Sequence, residues 1–147
     1  MLIKPLLDAG TAARNMAEKE ARCAPQEALI ESNRCLFCFD APCIMACPTG
    51  IDIPSFIKKI ANGNPTGSAR TILTANVLGA SCARVCPTEV LCEGACVVLD
   101  LEGDPVKIGR LQRYATDYVF EHQIDVLQAP AKKNGKRVAL LGAGPAS

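Results

Sequence analysis

Residues 34–50 read RCLFCFDAPCIMACPTG, and this stretch holds four cysteines within thirteen residues, Cys35, Cys38, Cys43 and Cys47. Residues 80–98 read ASCARVCPTEVLCEGACVV and add four more, Cys82, Cys86, Cys92 and Cys96. Cys23 brings the total to nine, an odd number that would leave one thiol unpaired in a framework of disulfides. Thiols at this density therefore indicate a bound metal or metal cluster rather than a set of disulfides.

The composition fits one domain, or one domain and a fragment of another, in a chain of 147 residues. Apolar residues make up 49%, but aromatic residues only 4% and Trp is absent, so a bound inorganic group is expected to contribute order. The net charge of +1 favours neither nucleic acid nor an anionic membrane as a partner. No apolar run is long enough to span a membrane, and MLIKPLLDAG lacks the apolar stretch of a signal peptide, so a cytoplasmic location is expected.

Helix-forming segments dominate the first 122 residues, and several begin at a proline, which is favoured at the first helical position. The third segment is expected to start at Pro54, stop at Gly63 and bury three residues at helical spacing, Phe56, Ile57 and Ile60. In the fourth, Asn64 is the expected N-cap and Gly79 the stop signal. The five predicted helices are 11–22 (TAARNMAEKEAR), 25–38 (PQEALIESNRCLFC), 52–63 (DIPSFIKKIANG), 64–79 (NPTGSARTILTANVLG) and 104–122 (DPVKIGRLQRYATDYVFEH).

The C-terminal part has a different character. Residues 123–136 are polar, with a proline and a Lys/Gly cluster, and are predicted to form a linker. The following KRVALLGAGPAS predicts a short strand that runs into Gly142 and Gly144, as at the start of a dinucleotide-binding βαβ unit. The helix that would hold a pyrophosphate is not part of this sequence, so these residues are not expected to bind a dinucleotide by themselves.

The spacing of the cysteines favours iron–sulfur clusters over zinc. Zinc sites typically use two well-separated cysteine pairs, whereas the patterns here are C-x2-C-x4-C-x3-C-P and C-x3-C-P-x4-C-x3-C. In two-cluster ferredoxins, a similar run ending in Cys-Pro sends its last cysteine to the other cluster. One cluster is therefore expected to bind Cys35, Cys38 and Cys43, and a second to bind Cys47. The competing hypothesis is a cysteine-rich interaction domain stapled by zinc.

The second cysteine stretch would complete both clusters. By symmetry with the first stretch, Cys86 and Cys92 would join Cys47 as ligands of the second cluster. Cys96 would be the remaining ligand of the first cluster. The last ligand of the second cluster stays open between Cys82 and Gln112. Gln112 falls on the apolar stripe of the helix predicted over 104–122, and a buried amide must find a partner, whether iron or backbone.

Three blocks of the sequence, in order, strongly resemble the N-terminal iron–sulfur domain of the dihydropyrimidine dehydrogenase and glutamate synthase small-subunit family. The blocks are RCLFCFDAPCIMACPTGIDIPSFI (34–57), NVLGASCARVCPTEVLCEGACV (76–97) and PVKIGRLQRYATD (105–117). The resemblance covers roughly residues 25–120, and RVALLGAGPAS is similar to the start of the FAD-binding domain that follows in that family. It implies a helical iron–sulfur domain over 1–122, a linker over 123–136 and the beginning of an FAD/NAD(P)-binding domain over 137–147.

The resemblance also implies a ligand set for two [4Fe-4S] clusters. One cluster would be held by Cys35, Cys38, Cys43 and Cys96. The other would be held by Cys47, Cys86, Cys92 and, as in the dihydropyrimidine dehydrogenases, a glutamine that matches Gln112. Cys23 and Cys82 would then be non-ligands. Ser147 stands where the family commonly has a third glycine.

The function implied by the resemblance is electron transfer. The two clusters would relay single electrons from a flavin, reduced by NAD(P)H in a C-terminal domain of the same chain, to a partner catalytic subunit. FAD and NAD(P)H would bind only to the full-length protein, and the present chain is not expected to turn over substrate or to contain catalytic residues.

Few other residues suggest chemistry. His122, the only histidine, is expected to be an exposed residue at a helix end rather than a ligand. Tyr114 and Tyr118 are expected to pack in the core. Three arginines lie near predicted ligands, namely Arg84, Arg110 and Arg113. They would offset the charge of a cluster, contact an acidic partner or simply be solvated.

Overall fold

The computed structural model describes residues 8–18, 22–139 and 141–142. Over these ranges the chain is mainly helical, which confirms the predicted class, and it contains no strand. The helices of the described residues are α1 (Ala9–Asn15), α2 (Pro25–Asn33), α3 (Pro42–Met45), α4 (Ile53–Ala61), α5 (Pro65–Ala75), α6 (Gly79–Val85), α7 (Val97–Glu102) and α8 (Ile108–Glu121), with a 3-10 turn at Thr88–Val90.

Three helices, α4, α5 and α8, supply most of the apolar core. The helical spacing in α4 correctly predicted its buried face, since Phe56 and Ile57 are completely inaccessible to solvent and Ile60 nearly so. In α8 the apolar stripe that contains Gln112 is buried, namely Ile108, Leu111, Gln112, Ala115 and Val119. All nine cysteines are partly buried, and six of them pack against this core, namely Cys23, Cys35, Cys43, Cys47, Cys92 and Cys96.

The starts of α4 and α5 depend on side chains that cap the first turn. The carboxylate of Asp52 accepts a hydrogen bond from the backbone N–H of Ser55 at 3.1 Å. The side chain of Asn64 accepts one from the N–H of Gly67 at 2.7 Å, which confirms Asn64 as an N-cap. Between the two helices, Gly63 has φ +70°, a left-handed conformation that glycine adopts without steric cost.

The first helix is shorter than predicted. A helix was expected over 11–22, but α1 ends at Asn15 and begins after Asp8, whose carboxylate accepts a hydrogen bond from the N–H of Thr11 at 2.9 Å. No residue of α1 is buried, so tertiary contacts do not extend it. Residues 19–21 of the predicted helix lie outside the described residues.

Other boundaries also differ from the prediction. Because α2 ends at Asn33, the first two cysteines of the first stretch follow the helix in non-helical backbone. Gly79, the predicted end of the fourth helix, instead begins α6, because the backbone turns extended at Asn76 after α5. The last helix begins at Ile108, four residues after the predicted start. The short helices α3, α6 and α7 were not anticipated.

Residues 123–139 contain neither helix nor strand. The strand predicted within 137–147 is not observed at residues 137–139 and 141, and a strand needs a neighbouring strand, which the described residues do not supply. Gly142 has φ +105°, whereas Gly144 lies outside the described residues. In the part of the chain that the structure describes, no helix combines the length and apolar character needed to cross a membrane.

Candidate metal centre

The four residues predicted to bind the first cluster line one cavity, although they come from two distant parts of the chain. This set, called group I, consists of Cys35, Cys38, Cys43 and Cys96. Cys43 lies in α3, and Cys96 is the N-cap of α7. The rest of the cavity wall is mostly apolar and includes Ile53, Ile57, Val98, Val106 and Ile108.

Electrostatics shows that the group I thiols act on one another. Burial raises the pKa of the Cys43 thiol to about 11, with further contributions from Cys35 and Cys96. Burial also raises the pKa of Cys35, partly offset by a hydrogen bond from the backbone of Phe37, and Cys96 and Cys38 raise it further. The thiols of this site are therefore close enough that the charge of one thiolate disfavours ionisation of its neighbours. A bound cation or a cationic cluster core would offset this repulsion.

Arg34, the residue before Cys35, is held by partners distant in the chain, an arrangement that sequence analysis missed. Its guanidinium donates hydrogen bonds to the carboxylates of Glu31 and Glu102, both at 2.9 Å. It also donates to the backbone carbonyls of Asp104 at 2.5 Å and Pro105 at 3.2 Å. The residue just before the first ligand is thereby tied to the ends of α2 and α7. An arginine adjacent to Cys35 was visible in the sequence, but its distant partners were not.

The remaining predicted ligands form a second set, called group II, which consists of Cys47, Cys86, Cys92 and Gln112. Burial and then the adjacent Cys82 raise the pKa of Cys86, and Cys47 contributes in the same direction. Burial raises the pKa of Cys92 to about 12, with a further increase from Glu93 and a smaller one from Cys47. The effect of Cys47 on both thiols indicates that it lies near Cys86 and Cys92, although it comes from the other cysteine stretch.

α3 connects the two groups. Cys43 of group I lies in this helix, and Cys47 of group II follows it, with its N–H donating to the carbonyl of Ile44 at 3.1 Å. Four residues of helical or near-helical backbone correspond to a rise of roughly 6 Å. The two candidate sites are therefore neighbours that share one short covalent segment.

Gln112 is buried on α8, as predicted, and its amide has a fixed orientation. Its Nε2 donates a hydrogen bond to the carbonyl oxygen of Gly79 at 2.7 Å. Because the nitrogen is engaged by the first residue of α6, the other end of the amide, the carbonyl oxygen, is left to accept a donor or to bind a metal. α6 also carries Cys86 at its C-terminal cap, so one short helix helps to position two members of group II.

The two cysteines predicted to be non-ligands differ in their surroundings. Cys82 lies beside Cys86 and accepts a hydrogen bond from Nδ2 of Asn76 at 3.2 Å. Cys23 is partly buried near Arg110 and Glu27, and burial raises its pKa. Neither thiol lines the cavity of group I. All nine cysteines belong to the described residues, and none of them forms a disulfide.

The arginines near group II are paired within the chain rather than solvated. Arg84 contacts Asp117 at 2.7 Å and Glu18 at 3.2 Å. Arg113, which is buried, contacts the same two carboxylates, each at 3.3 Å. Arg110 lies 3.6 Å from a carboxylate oxygen of Glu27. The expectation of simple solvated residues is therefore wrong for Arg113, and local acidic groups offset its charge and that of Arg84.

His122 and the two tyrosines lie away from both groups. His122 is an exposed residue at the end of α8, as predicted, and its ring stacks on Tyr118 with centroids 4.2 Å apart. Tyr114 and Tyr118 are only partly buried, and they pack against the core rather than within it.

The donor chemistry of both groups fits an iron–sulfur cluster. Thiolates are soft ligands that iron–sulfur clusters require, and the thiols of group I are spread around a shared apolar cavity. Among the residues that the structure describes, no three His, Cys, Asp or Glu side chains converge as the ligands of a single metal ion would.

Comparisons with known proteins agree with this assignment. Residues 12–124 match a family model described as dihydropyrimidine dehydrogenase domain II, 4Fe-4S cluster. The chain is 48% identical over 122 residues to the NAD-dependent dihydropyrimidine dehydrogenase subunit PreT of Escherichia coli O157:H7, covering 83% of this chain and 29% of that protein. It is 47% identical over 122 residues to the subunit of the same name from Salmonella typhimurium, with the same coverage. The chain thus spans less than a third of the length of these curated relatives.

Proposed function

Because the chain belongs to the family of dihydropyrimidine dehydrogenase domain II, a 4Fe-4S cluster domain, we propose that it is an electron-transfer module with two [4Fe-4S] clusters. When bound, such clusters accept and donate single electrons without breaking bonds in a substrate. The protein supplies the ligands, the apolar surroundings and the short connection between the two sites. The chain itself would contain no catalytic residue.

The ligand set of the proposal follows the two groups. Group I would hold one cluster through four thiolates, and group II would hold the other through three thiolates and the carbonyl oxygen of Gln112. The observation that carries this proposal is the cavity lined by all four thiols of group I, with Cys47 turned to a different set of cysteines at the far end of α3. A single cluster could not bind both sets of residues.

The electron path of the proposal runs between a flavin and a partner catalytic subunit. The flavin would be FAD, reduced by NAD(P)H, in a domain that continues from residues 137–147 after the linker 123–136, with Gly142 and Gly144 in its nucleotide-binding turn. The relatives are named as subunits of an NAD-dependent dihydropyrimidine dehydrogenase, which supports a pyrimidine-reducing enzyme over one of the glutamate synthase type. A cytoplasmic location is part of this proposal, since nine free thiols suit a reducing compartment.

Exposed apolar side chains near group I support docking to another protein or domain. Leu36 and Phe37 lie between two predicted ligands and are about half and a third exposed, while Phe39 is 99% exposed. Met45 of α3 is 86% exposed. Apolar side chains grouped around a redox site are typical of a surface that another protein covers.

Iron, acid-labile sulfide and zinc analysis of the anaerobically purified protein tests the proposal. We expect about eight iron and about eight sulfide per chain, together with the electron paramagnetic resonance (EPR) signals of two reduced clusters. Zinc without sulfide would favour the zinc-stapled interaction domain, the second candidate function. Half the expected iron and sulfide would refute the two-cluster assignment while leaving a single-cluster module.

A further inference from the structure

The sequence Cys-Pro-Thr occurs twice, at residues 47–49 and 86–88, and both cysteines belong to group II. The two threonines lie differently. The hydroxyl oxygen of Thr49 is 3.5 Å from the sulfur of Cys47, within hydrogen-bonding distance for sulfur. Thr88 instead directs its methyl group towards Gly109, and within the described residues its hydroxyl makes no hydrogen bond to Cys86. One motif therefore supplies a donor to its cysteine, and the other does not.

The turn after Cys47 holds Thr49 in this position. Gly50 has φ +62°, and its N–H donates to the carbonyl of Cys47 at 3.0 Å, which closes the turn. An added Cβ at Gly50 would meet no atom within 4 Å, so its backbone conformation rather than lack of space explains the glycine. The turn brings the hydroxyl of Thr49 to the same side as the thiol of Cys47.

A cysteine that binds a cluster does so as a thiolate, which has no proton to donate. In the contact between Thr49 and Cys47 the hydroxyl of Thr49 is therefore the donor, and the sulfur of Cys47 is the acceptor.

We propose that Thr49 is a positioning residue whose hydroxyl donates a hydrogen bond to the Cys47 thiolate and thereby raises the reduction potential of the group II cluster. This inference rests on the proposed function. A cluster gains negative charge when it is reduced, and a donor to a ligand sulfur stabilises the more negative state. The effect is confined to group II, because Cys47 is not among the thiols that line the group I cavity.

Redox titration of the anaerobically purified holoprotein, followed by EPR, tests this role. Thr49→Val removes the donor at nearly constant volume, and we expect the midpoint potential of one cluster to fall while the other stays unchanged. Thr49→Ser keeps a hydroxyl and should restore the potential. Thr88→Val is the matched control, because the second motif supplies no donor to its cysteine, and it should leave both potentials unchanged.

Iron and sulfide content, measured first, separates this inference from the proposed function. A protein without two clusters refutes the proposed function, whereas two clusters with equal potentials in the wild type and Thr49→Val refute only the role of Thr49. If Thr49→Val does not retain the cluster, the midpoint potentials of the Thr49→Ser and Thr49→Ala variants are compared instead. Equal potentials in these two, or loss of the cluster from Thr49→Ser as well, would overturn the proposal.

Discussion

Gly79 is the residue where a single methyl group should disturb one cluster site and not the other. It is the buried first residue of α6, and its carbonyl accepts the hydrogen bond of Gln112. A Cβ at Gly79 would lie 2.5 Å from Cγ2 of Ile72 and 3.6 Å from Cδ2 of Leu73. The first distance is about 0.9 Å short of the 3.4 Å at which ordinary contact begins. Gly79→Ala must therefore move α6 away from α5.

The expected cost follows from this overlap. Inserting a methyl group into a packed core destabilises by about 1–3 kcal/mol, which corresponds to a factor of roughly 5–150 in the unfolding equilibrium. The higher helix propensity of alanine offsets less than about 1 kcal/mol and counts little at the first position of a helix. The new Cβ would lie 3.9 Å from Nε2 of Gln112, so the amide is disturbed through the displaced carbonyl rather than by direct contact.

Anaerobic denaturation followed by circular dichroism measures the loss of stability, and EPR measures each cluster. We expect Gly79→Ala to unfold earlier and to change only the group II signal. Gly109→Ala serves as the control, because its Cβ would lie 3.2 Å from Thr88 Cγ2, a milder contact, and should cost less. Ile72→Ala removes the atom that clashes, so the double variant should be no less stable than Ile72→Ala alone. Strictly additive effects, or a change in group I, would refute the reasoning.

Three other results are expected. Gln112→Ala should alter the spectrum or potential of one cluster, whereas Cys82→Ser should leave both intact; EPR-monitored titration distinguishes these outcomes, and the reverse pattern would make Cys82 the ligand. Arg34→Ala should accelerate loss of the group I cluster to a chelator, followed by the decrease in visible absorbance, and unchanged kinetics would contradict its anchoring role. In the apoprotein the raised pKa values of Cys43 (about 11) and Cys92 (about 12) favour the protonated thiols. The free energy of unfolding of the apoprotein should therefore decrease as the pH rises above the ordinary pKa of a thiol. Cluster insertion must release those protons, so reconstitution should be more complete at pH about 9 than at about 7, and a flat profile would contradict the shifts.

The sequence predicted the helical core well and the irregular segments poorly. Helical spacing identified the buried faces of α4 and α8, because burial of an apolar stripe leaves a periodic pattern. Helix ends near cysteines were less predictable. The segment 25–38 has helix-forming residues throughout, yet α2 ends at Asn33, and Phe37 between the first two cysteines has φ +52°, a conformation that an α-helix does not contain.

The candidate site was predictable in its cysteines and less so in its supporting residues. Spacing and Cys-Pro pairs separate Cys47 from the three thiols before it, because these features are local. Arg34 and Gly79 act through partners that lie tens of residues away in the chain, such as Glu102 and Gln112. Their roles depend on how α6, α7 and the cysteine stretches pack, which no local pattern encodes. Thr49 was visible in the sequence, but so was Thr88, and only the structure distinguishes them.

The division between core and cysteine segments has a consequence for folding. α4, α5 and α8 bury their apolar faces against one another. The residues that carry the ligands, such as 35–41 and 91–96, lie outside the helices, in turns and irregular backbone. A cluster bridging Cys43 to Cys96, which are 53 positions apart, would close a long loop at one point. Coupling between cluster loading and folding should therefore be concentrated in the cysteine segments, while the three-helix core persists without the clusters.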